Sequence, residues 1–413
     1  MKIAILGYGT VGSGVVEILQ KNKQSIAKKA SQEIDIKYIL DIRDFDDEIV
    51  AGKIVKDFNI ILNDNEVKIV VEAMGGINPA FNFAKASMEK GKCFVTSNKE
   101  LVAQKGAQLL EIAIKNNVTF LFEASVGGGI PIIRPLHQCL AANEIFEIVG
   151  ILNGTTNYIL TKMSKQGMNF NETLLKAQEL GYAEKDPTDD IEGNDSCRKI
   201  CILGSLAFGR HIYPNSVYTQ GISNITIDDI KTAANFNSTI KLLGKVKKLE
   251  DGNISIIVAP FVIPLEHPLA NVEDVFNGIL IKGDAIGDVV FYGRGAGKLP
   301  TASAMIADII DCAKNFGPQK RLLWNDVENN DFIQSKDKQQ TSFMIRIKTN
   351  NATKAIKNIK NLFANVELIS TIGTSEYAFI TPIDKEEKLL DLIEKLKLKQ
   401  HIKNIISVIR VEQ

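Results

Sequence analysis

The chain has 413 residues, 45% of them hydrophobic and 24% charged, the make-up of a soluble globular protein with room for two or three domains. Lysine plus arginine equals aspartate plus glutamate, 49 of each, so no charge excess argues for nucleic acid or an anionic membrane as a partner. No apolar run nears the roughly 20 residues that cross a bilayer, and the N-terminal run is too short for a secretory leader, which leaves a cytoplasmic address.

Residues 2–6 read as a short apolar strand. Gly7-Tyr8-Gly9-Thr10-Val11-Gly12 follows, and then a helical pattern. This is G-x-G-x-x-G between strand and helix, the context in which it binds a dinucleotide. Gly7 permits the tight turn, Gly9 lets backbone approach a pyrophosphate, and Gly12 allows close packing of helix on strand. Thr10 and Val11 belong to the same phosphate-binding turn. The alternative is a glycine turn without a ligand.

A second strand is expected over 35–42, with Asp41, Arg43 and Asp44 at its end. An acid there grips the ribose hydroxyls of NAD, whereas an arginine suits the phosphate of NADP. Arg43 points towards NADP, or is a solvated loop residue. Further strands are expected over 67–73, 92–96 and 118–122, with a helix over 100–116. Strands alternating with helices make a doubly wound parallel sheet of Rossmann type, whose ligands bind at the carboxyl ends of the strands. Ser97 and Lys99 stand at one such end. Glu123 opens EASVGGGIP, where three glycines in a row expose carbonyls that, with one carboxylate, suit a hard monovalent cation; a plain turn is the alternative.

From about residue 144 the pattern becomes that of a mixed α+β domain. Asn153-Gly154-Thr155-Thr156-Asn157-Tyr158 is a polar turn into a helix. The stretch from Gly181 to Lys199 then packs Glu184, Asp186, Asp189, Asp190, Glu192 and Asp195 beside Lys185, Arg198 and Lys199. Its first half reads as a loop. Its second half starts a helix with Asn194 or Asp195 as N-cap, which puts Asp195 and Lys199 four apart on one face. That helix is apolar nearly all round and so is buried. A carboxylate and a lysine at the mouth of a core helix form either a surface ion pair or a catalytic pair. The glycine-rich 293–300, led by Gly297 into a helix over 301–313, is not a P-loop, because Leu299 stands where Ser or Thr is needed. That helix is expected to return to the first domain. Cys93, Cys139, Cys197, Cys201 and Cys312 are scattered, so buried free thiols are expected rather than disulfides or zinc ligands.

Residues 335–341 read as a polar linker. Beyond it come a strand (342–347), a helix (352–363), two strands (366–372 and 377–381), a helix (386–396) and a strand (402–411). That β-α-β-β-α-β order is a ferredoxin-like unit. The expected division is a nucleotide domain over 1–143 with 297–320 returning to it, a substrate and dimerisation domain over 144–296, and the small unit over 335–413.

Six motifs in order, GYGTVG, SNKELVA, EASVGGGIP, NGTTNYIL, GYAEKDPTDDIEGNDSCRK and GRGAGKLPTASA, resemble the homoserine dehydrogenase family. The resemblance implies NAD- or NADP-dependent interconversion of L-homoserine and L-aspartate 4-semialdehyde, on the branch to threonine, methionine and isoleucine, by a homodimer or homotetramer. It implies Lys199 as proton donor with Lys99 close to it. Glu184 and Asp195 would contact substrate. From the chemistry of the residues, an α-ammonium calls for a carboxylate cluster, which adds Asp190, and an α-carboxylate calls for a cation or donors, for which Lys99, Thr155 and Thr156 are candidates. Gly7, Gly9, Thr10, Val11, Gly12, Arg43, Ser97, Lys99, Gly181, Glu184 and Gly297 would border the cofactor. Glu123, with the carbonyls of Val126, Gly128 and Ile130, matches a sodium site. The tail resembles an ACT domain, a regulatory fold that binds amino acids, but Thr349-Asn350-Asn351-Ala352 stands where an Asp-x-Pro-Gly type loop is usual. Two other readings stay open from the residues: a non-catalytic sensor of dinucleotide and amino acid, and a dehydrogenase of another amino-acid semialdehyde.

Overall fold

Short apolar strands, each followed by an amphipathic helix, have one economical solution, a parallel sheet covered on both faces. The computed structural model describes residues 1–316, 324–326, 330–370 and 375–412. Its first sheet holds β1 (Lys2–Leu6), β2 (Asp35–Leu40), β3 (Ile54–Val55), β4 (Val67–Glu72), β5 (Cys93–Thr96) and β6 (Phe120–Leu121). The order is β3-β2-β1-β4-β5-β6 with every pair parallel. The chain reverses its direction of winding beside β1, and that is where Gly7 lies. Gly7 has φ +93° and donates its N–H to Leu40 O at 2.8 Å. A Cβ on Gly12 would meet Gly7 O at 2.0 Å, so only glycine lets α1 (Thr10–Lys21) start this close to β1.

Two expected strands are shorter than read. β2 ends at Leu40, since Ile42 is exposed and pairs with nothing in the sheet. β6 keeps only the two residues that face Phe94 and Val95 of the four-residue β5. The helix after β5, α2 (Lys99–Lys115), begins one residue early because the Asn98 side chain caps it through Leu101 N–H.

A second, mixed sheet carries β7 (Ile145–Ile151), β8 (Tyr218–Thr219), β9 (Ser238–Lys248), β10 (Ile254–Pro264), β11 (Phe276–Gly283) and β12 (Gly287–Arg294). Its helices include α3 (Gly154–Gln166), α4 (Thr188–Ile191), α5 (Asn194–Phe208) and α6 (Ile227–Asn235). The chain then forms α7 (Lys298–Lys314), which packs on α1; a Cβ on Gly14 would meet Lys298 O at 2.9 Å. Residues 317–320, included in the expected return, lie outside the described residues. Four of the five cysteines are buried free thiols, whereas Cys139 is exposed.

The C-terminal part contains β13 (Gln340–Thr341), β14 (Phe343–Thr349), α8 (Ala352–Leu362), β15 (Glu367–Ser370), β16 (Glu376–Ile380), β17 (Asp384–Lys385), α9 (Glu386–Lys397) and β18 (Ile402–Val411). The last residues of the strand expected over 366–372 fall outside the described residues. Neighbours β18-β14-β16-β15 are antiparallel, under a core of Phe343, Ile345, Ile359, Phe379 and Leu389. The expected linker is woven in: β13 pairs with β17, and Gln339 O accepts Glu386 N–H at 2.9 Å. β18 also runs beside β10 in parallel, Phe261 opposite Arg410, so one ten-stranded sheet runs from β12 to β15.

A buried ion pair fixes this seam. Arg346 of β14 is 2% exposed and donates to Asp229 Oδ1 of α6 at 2.7 Å and to Glu376 Oε2 at 3.1 Å. Ser407 of β18 donates to the same Asp229. Arg346→Met should therefore lower stability by about 3–5 kcal/mol, the cost of stranding one member of a buried pair. Chemical denaturation checks this, and a loss below about 1 kcal/mol would make the contact no better than a surface pair.

Candidate active site

Three chain segments converge on one buried carboxylate. β7 delivers Asn153 to the start of α3, where it is the N-cap; its Oδ1 accepts Thr156 N–H at 2.9 Å. With that oxygen spent on the helix, the amide nitrogen points outward. Nδ2 donates to Asp190 Oδ1 at 2.7 Å and to Asp195 Oδ2 at 2.9 Å. Asp190 comes from α4, while Asp195 and Lys199 come from α5. Gly193, at φ +84°, is the N-cap of α5, and not Asn194 or Asp195 as read from the sequence. Asp195 sits in the first turn with its carboxylate committed elsewhere.

Lys199 Nζ donates to Asp195 Oδ2 at 2.7 Å and to Leu152 O at 2.8 Å. Lys99 Nζ, from the start of α2, lies 2.5 Å from Asp195 Oδ1 in an ion-pair contact off the line of a hydrogen bond. The two lysines differ. Lys199 is 7% exposed, and burial pulls its pKa below the ordinary lysine value; Asp195 opposes that pull and the charge of Lys99 adds to it. The Lys99 side chain is 40% exposed; burial pulls its pKa down, but Asp195 and Asp190 outweigh this and hold it above the ordinary value. Asp195 stays well below the usual carboxylate range because Lys199 and Lys99 outweigh its own burial. Asp190 is pushed upward by burial and by Asp195.

The acidic loop is tied down by Thr155, whose hydroxyl donates to Tyr182 O at 2.6 Å. That spends the proton that would otherwise serve a substrate carboxylate, and Thr156 likewise donates to Asn153. Gly181 and Glu184 are exposed on this loop, and among the described residues neither is ion-paired or hydrogen-bonded to Asp190, Asp195 or Lys199. Arg198 pairs with Asp189 at its edge.

A cleft of about 680 Å³ opens over α1, lined by Tyr8, Gly9, Thr10, Arg43, Phe45 and Lys298 among others. Val11 is half-buried behind it, and Gly297, at φ +123°, starts α7 next to Lys298. Asp41 is buried here, and its carboxylate accepts Tyr8 N–H at 2.8 Å and three N–H groups of Arg43, each at 3.0 Å. Arg43 holds it well below the usual range. Its oxygens are spent within the protein, and the Arg43 guanidinium is exposed 5.1 Å from the Phe45 ring. Ser97 follows β5, with its N–H 3.4 Å from Glu72 O.

Glu123 is 4% exposed and accepts three backbone N–H groups, Ile132 and Ile133 at Oε1 (2.6 and 2.8 Å) and Arg134 at Oε2 (2.8 Å). One lone pair of Oε2 remains. Ile130 N–H bonds Gly127 O at 2.8 Å. Gly128, at φ +55°, lies so close to Gly295 that a Cβ would meet its carbonyl at 2.3 Å. The expected ligand turn is thus pinned against the loop before α7.

Two site residues were not singled out from the sequence. Asn153 was read only as part of a turn, although its Ncap position before Thr155 and Thr156 was a usable signal. Glu72 ends β4 and accepts the hydroxyl of Thr96 (2.5 Å) and the N–H groups of Met74 (2.7 Å) and Gly75 (3.0 Å). An apolar strand ending in an acid gives no hint of that.

Comparison with known proteins decides the family. Residues 7–123 match the family model "Homoserine dehydrogenase, NAD binding domain", and 131–310 match "Homoserine dehydrogenase". The Corynebacterium glutamicum homoserine dehydrogenase is 35% identical over 424 residues, covering 100% of this chain and 95% of that protein. The chain belongs to the homoserine dehydrogenase family. The Synechocystis member is 44% identical over 323 residues, 75% of this chain and 73% of that protein. The solved Thiobacillus denitrificans homoserine dehydrogenase superposes with a TM-score of 0.90 at 33% identity, covering 100% of this chain and 98% of that one. A hyperthermophilic archaeal homoserine dehydrogenase solved with NADPH covers 78% of this chain and 99% of its own, at TM-score 0.65 and 27% identity. No helix among the described residues is long and apolar enough to cross a membrane.

Asn153→Ala should lower kcat/KM by on the order of ten- to a hundredfold, the worth of one or two hydrogen bonds to charged groups. Steady-state kinetics beside an unchanged circular dichroism spectrum checks it; an unaltered kcat/KM would remove Asn153 from the site.

Proposed function

We propose that Lys199 is the proton donor in an NADP-dependent interconversion of L-aspartate 4-semialdehyde and L-homoserine. The observation that carries this is a buried ammonium bonded to a carboxylate, with its pKa below the ordinary lysine value. The dinucleotide, bound along the Gly7–Gly12 turn, supplies the hydride. Lys199 gives a proton from Nζ to the oxygen that becomes an alkoxide, and Asp195 keeps Nζ in place. Asp195 and Asp190 attract the substrate α-ammonium, and Glu184 closes on it from the exposed loop. Lys99, held positive and partly exposed, is the cation for the α-carboxylate. A sensor has no use for such a proton donor; another amino-acid semialdehyde carries the same α-ammonium and differs only in the distance from it to the aldehyde carbon. Side-by-side assays of amino-acid semialdehydes test both alternatives.

Lys199→Ala should cut turnover by about two to four powers of ten. In the wild type, reduction needs protonated Lys199 and oxidation needs it neutral. The reductive rate should therefore fall, and the oxidative rate rise, as pH climbs through a value below the ~10.4 of free lysine. Near-normal turnover in the variant, or flat pH profiles, would remove Lys199 from the role.

Arg43 supports NADP over NAD, because Asp41 has no oxygen left for the ribose diol. Arg43→Ala should raise the KM for NADP at least about tenfold, the worth of one charge-assisted contact, and leave that for NAD little changed. Equal effects on both cofactors would refute this.

Sodium fits Glu123 through its one remaining lone pair, together with the carbonyls of Val126, Gly128 and Ile130. The C-terminal unit is read as an ACT-like regulatory module on a homodimer or homotetramer in the cytoplasm. Initial rates in sodium against choline salts, with and without threonine, and light scattering test these points; indifference to the cation, to threonine, or a monomeric mass would each remove the corresponding part.

A further inference from the structure

Lys241 lies in β9, away from the Asp195 cluster, and is 3% exposed. Its ammonium donates to Val272 O at 2.5 Å and to Asn157 Oδ1 at 3.1 Å, both neutral. Among the described residues no carboxylate lies within ion-pair distance of it. The two nearby acids are engaged elsewhere: Glu273 with Lys165 at 2.5 Å and Asp274 with Lys162 at 2.7 Å. Burial lowers the Lys241 pKa to about 8, with Glu273 opposing the shift from a distance, so the amine keeps its proton at neutral pH. A buried cation without a counter-ion is an arrangement that proteins avoid.

Beside Lys241 is a cavity of about 270 Å³, bounded by α3, the end of α6, the start of β9 and residues 265–273. Ser164, Lys165, Thr239 and Asn271 line it with side chains able to donate, and Glu273 is its one acid. A cavity whose wall carries these donors and a buried lysine selects an anion. Glu273 on the same wall penalises a second negative charge, which favours a monoanion over a phosphate.

We propose that this cavity binds a small carboxylate, with Lys241 as its counter-ion. The site is tied to the catalytic end of the same helix. Asn157, which Lys241 contacts, is on α3 four residues after Asn153, and its Nδ2 bonds Val272 O, Asp274 O and Phe276 O at 3.2, 3.0 and 3.0 Å.

The test uses the full-length protein with acetate as probe, titrated against chloride at constant ionic strength and followed by Tm. The expected result is a saturable, acetate-specific rise in Tm for the wild type and for Lys99→Met, which disables the substrate-carboxylate cation. Lys241→Met should lose the rise. Asn271→Asp, at the exposed rim, folds whatever the role of Lys241 and should weaken acetate at least about tenfold by like-charge repulsion. No saturable rise in the wild type, its loss in Lys99→Met, its persistence in Lys241→Met, or unchanged affinity in Asn271→Asp would each overturn the proposal.

Discussion

Asp195 is a carboxylate 2% exposed and held between two ammonium groups, Lys199 at 2.7 Å and Lys99 at 2.5 Å. Taking any of these charges out of water alone would be prohibitive, so each requires the others. With Asp190 the group carries two positive and two negative charges, and a zwitterionic substrate can enter without leaving a net charge behind. The asymmetry matters as much as the balance. Lys199 is shut away and its proton is loosened; Lys99 faces the opening and its proton is held more tightly. One carboxylate thus makes two lysines suited to different work, one to give up a proton and one to remain a cation.

The scaffold explains how the geometry is kept. Lys99 comes from the start of a helix after β5, Lys199 and Asp195 from one turn of α5, and Asp190 from α4. Asn153 links them, because an N-cap side chain is immobilised by the helix it caps and its amide can then bridge Asp190 and Asp195. On the opposite side, α7 returns to pack on α1, and the loop before it presses on the glycines after Glu123. The carboxyl edge of the parallel sheet is therefore closed by chain that lies far away in sequence.

The C-terminal unit has a closer relation to the catalytic sheet than its polar approach suggests. Residues 335–341 contain no large apolar side chain, yet they pair with β17 and lie against α9. Arg410 of β18 donates to Gln220 Oε1, just after β8, at 3.0 Å, and Lys245 of β9 meets Glu412. With Arg346 and Asp229 these contacts add geometrically exacting partners to an apolar seam in which Met344 and Ile409 share a core with Ile230, Ile240 and Val262. Such pairs are exacting because an ion moved out of register is left buried and unpaired.

Much of this was legible in the chain. The glycine spacing after β1, the alternation of strands and helices, the β-α-β-β-α-β tail and the i, i+4 placement of Asp195 and Lys199 follow from local rules about backbone angles and periodicity. Those rules act over a few residues and so leave their mark in the order of residues. What only the folded chain decided was partnership across distance. Asp195 was open to capping its own helix, and became the counter-ion of Lys99, 96 positions away, because Gly193 took the cap at φ +84°. Asp41 was open to binding ribose, and was instead consumed by Tyr8 and Arg43. Lys241 has no mark in sequence that separates it from a solvated lysine. A strand periodicity says which face a residue is on; whether that face meets water, a carboxylate or only neutral acceptors depends on elements that the local pattern does not contain.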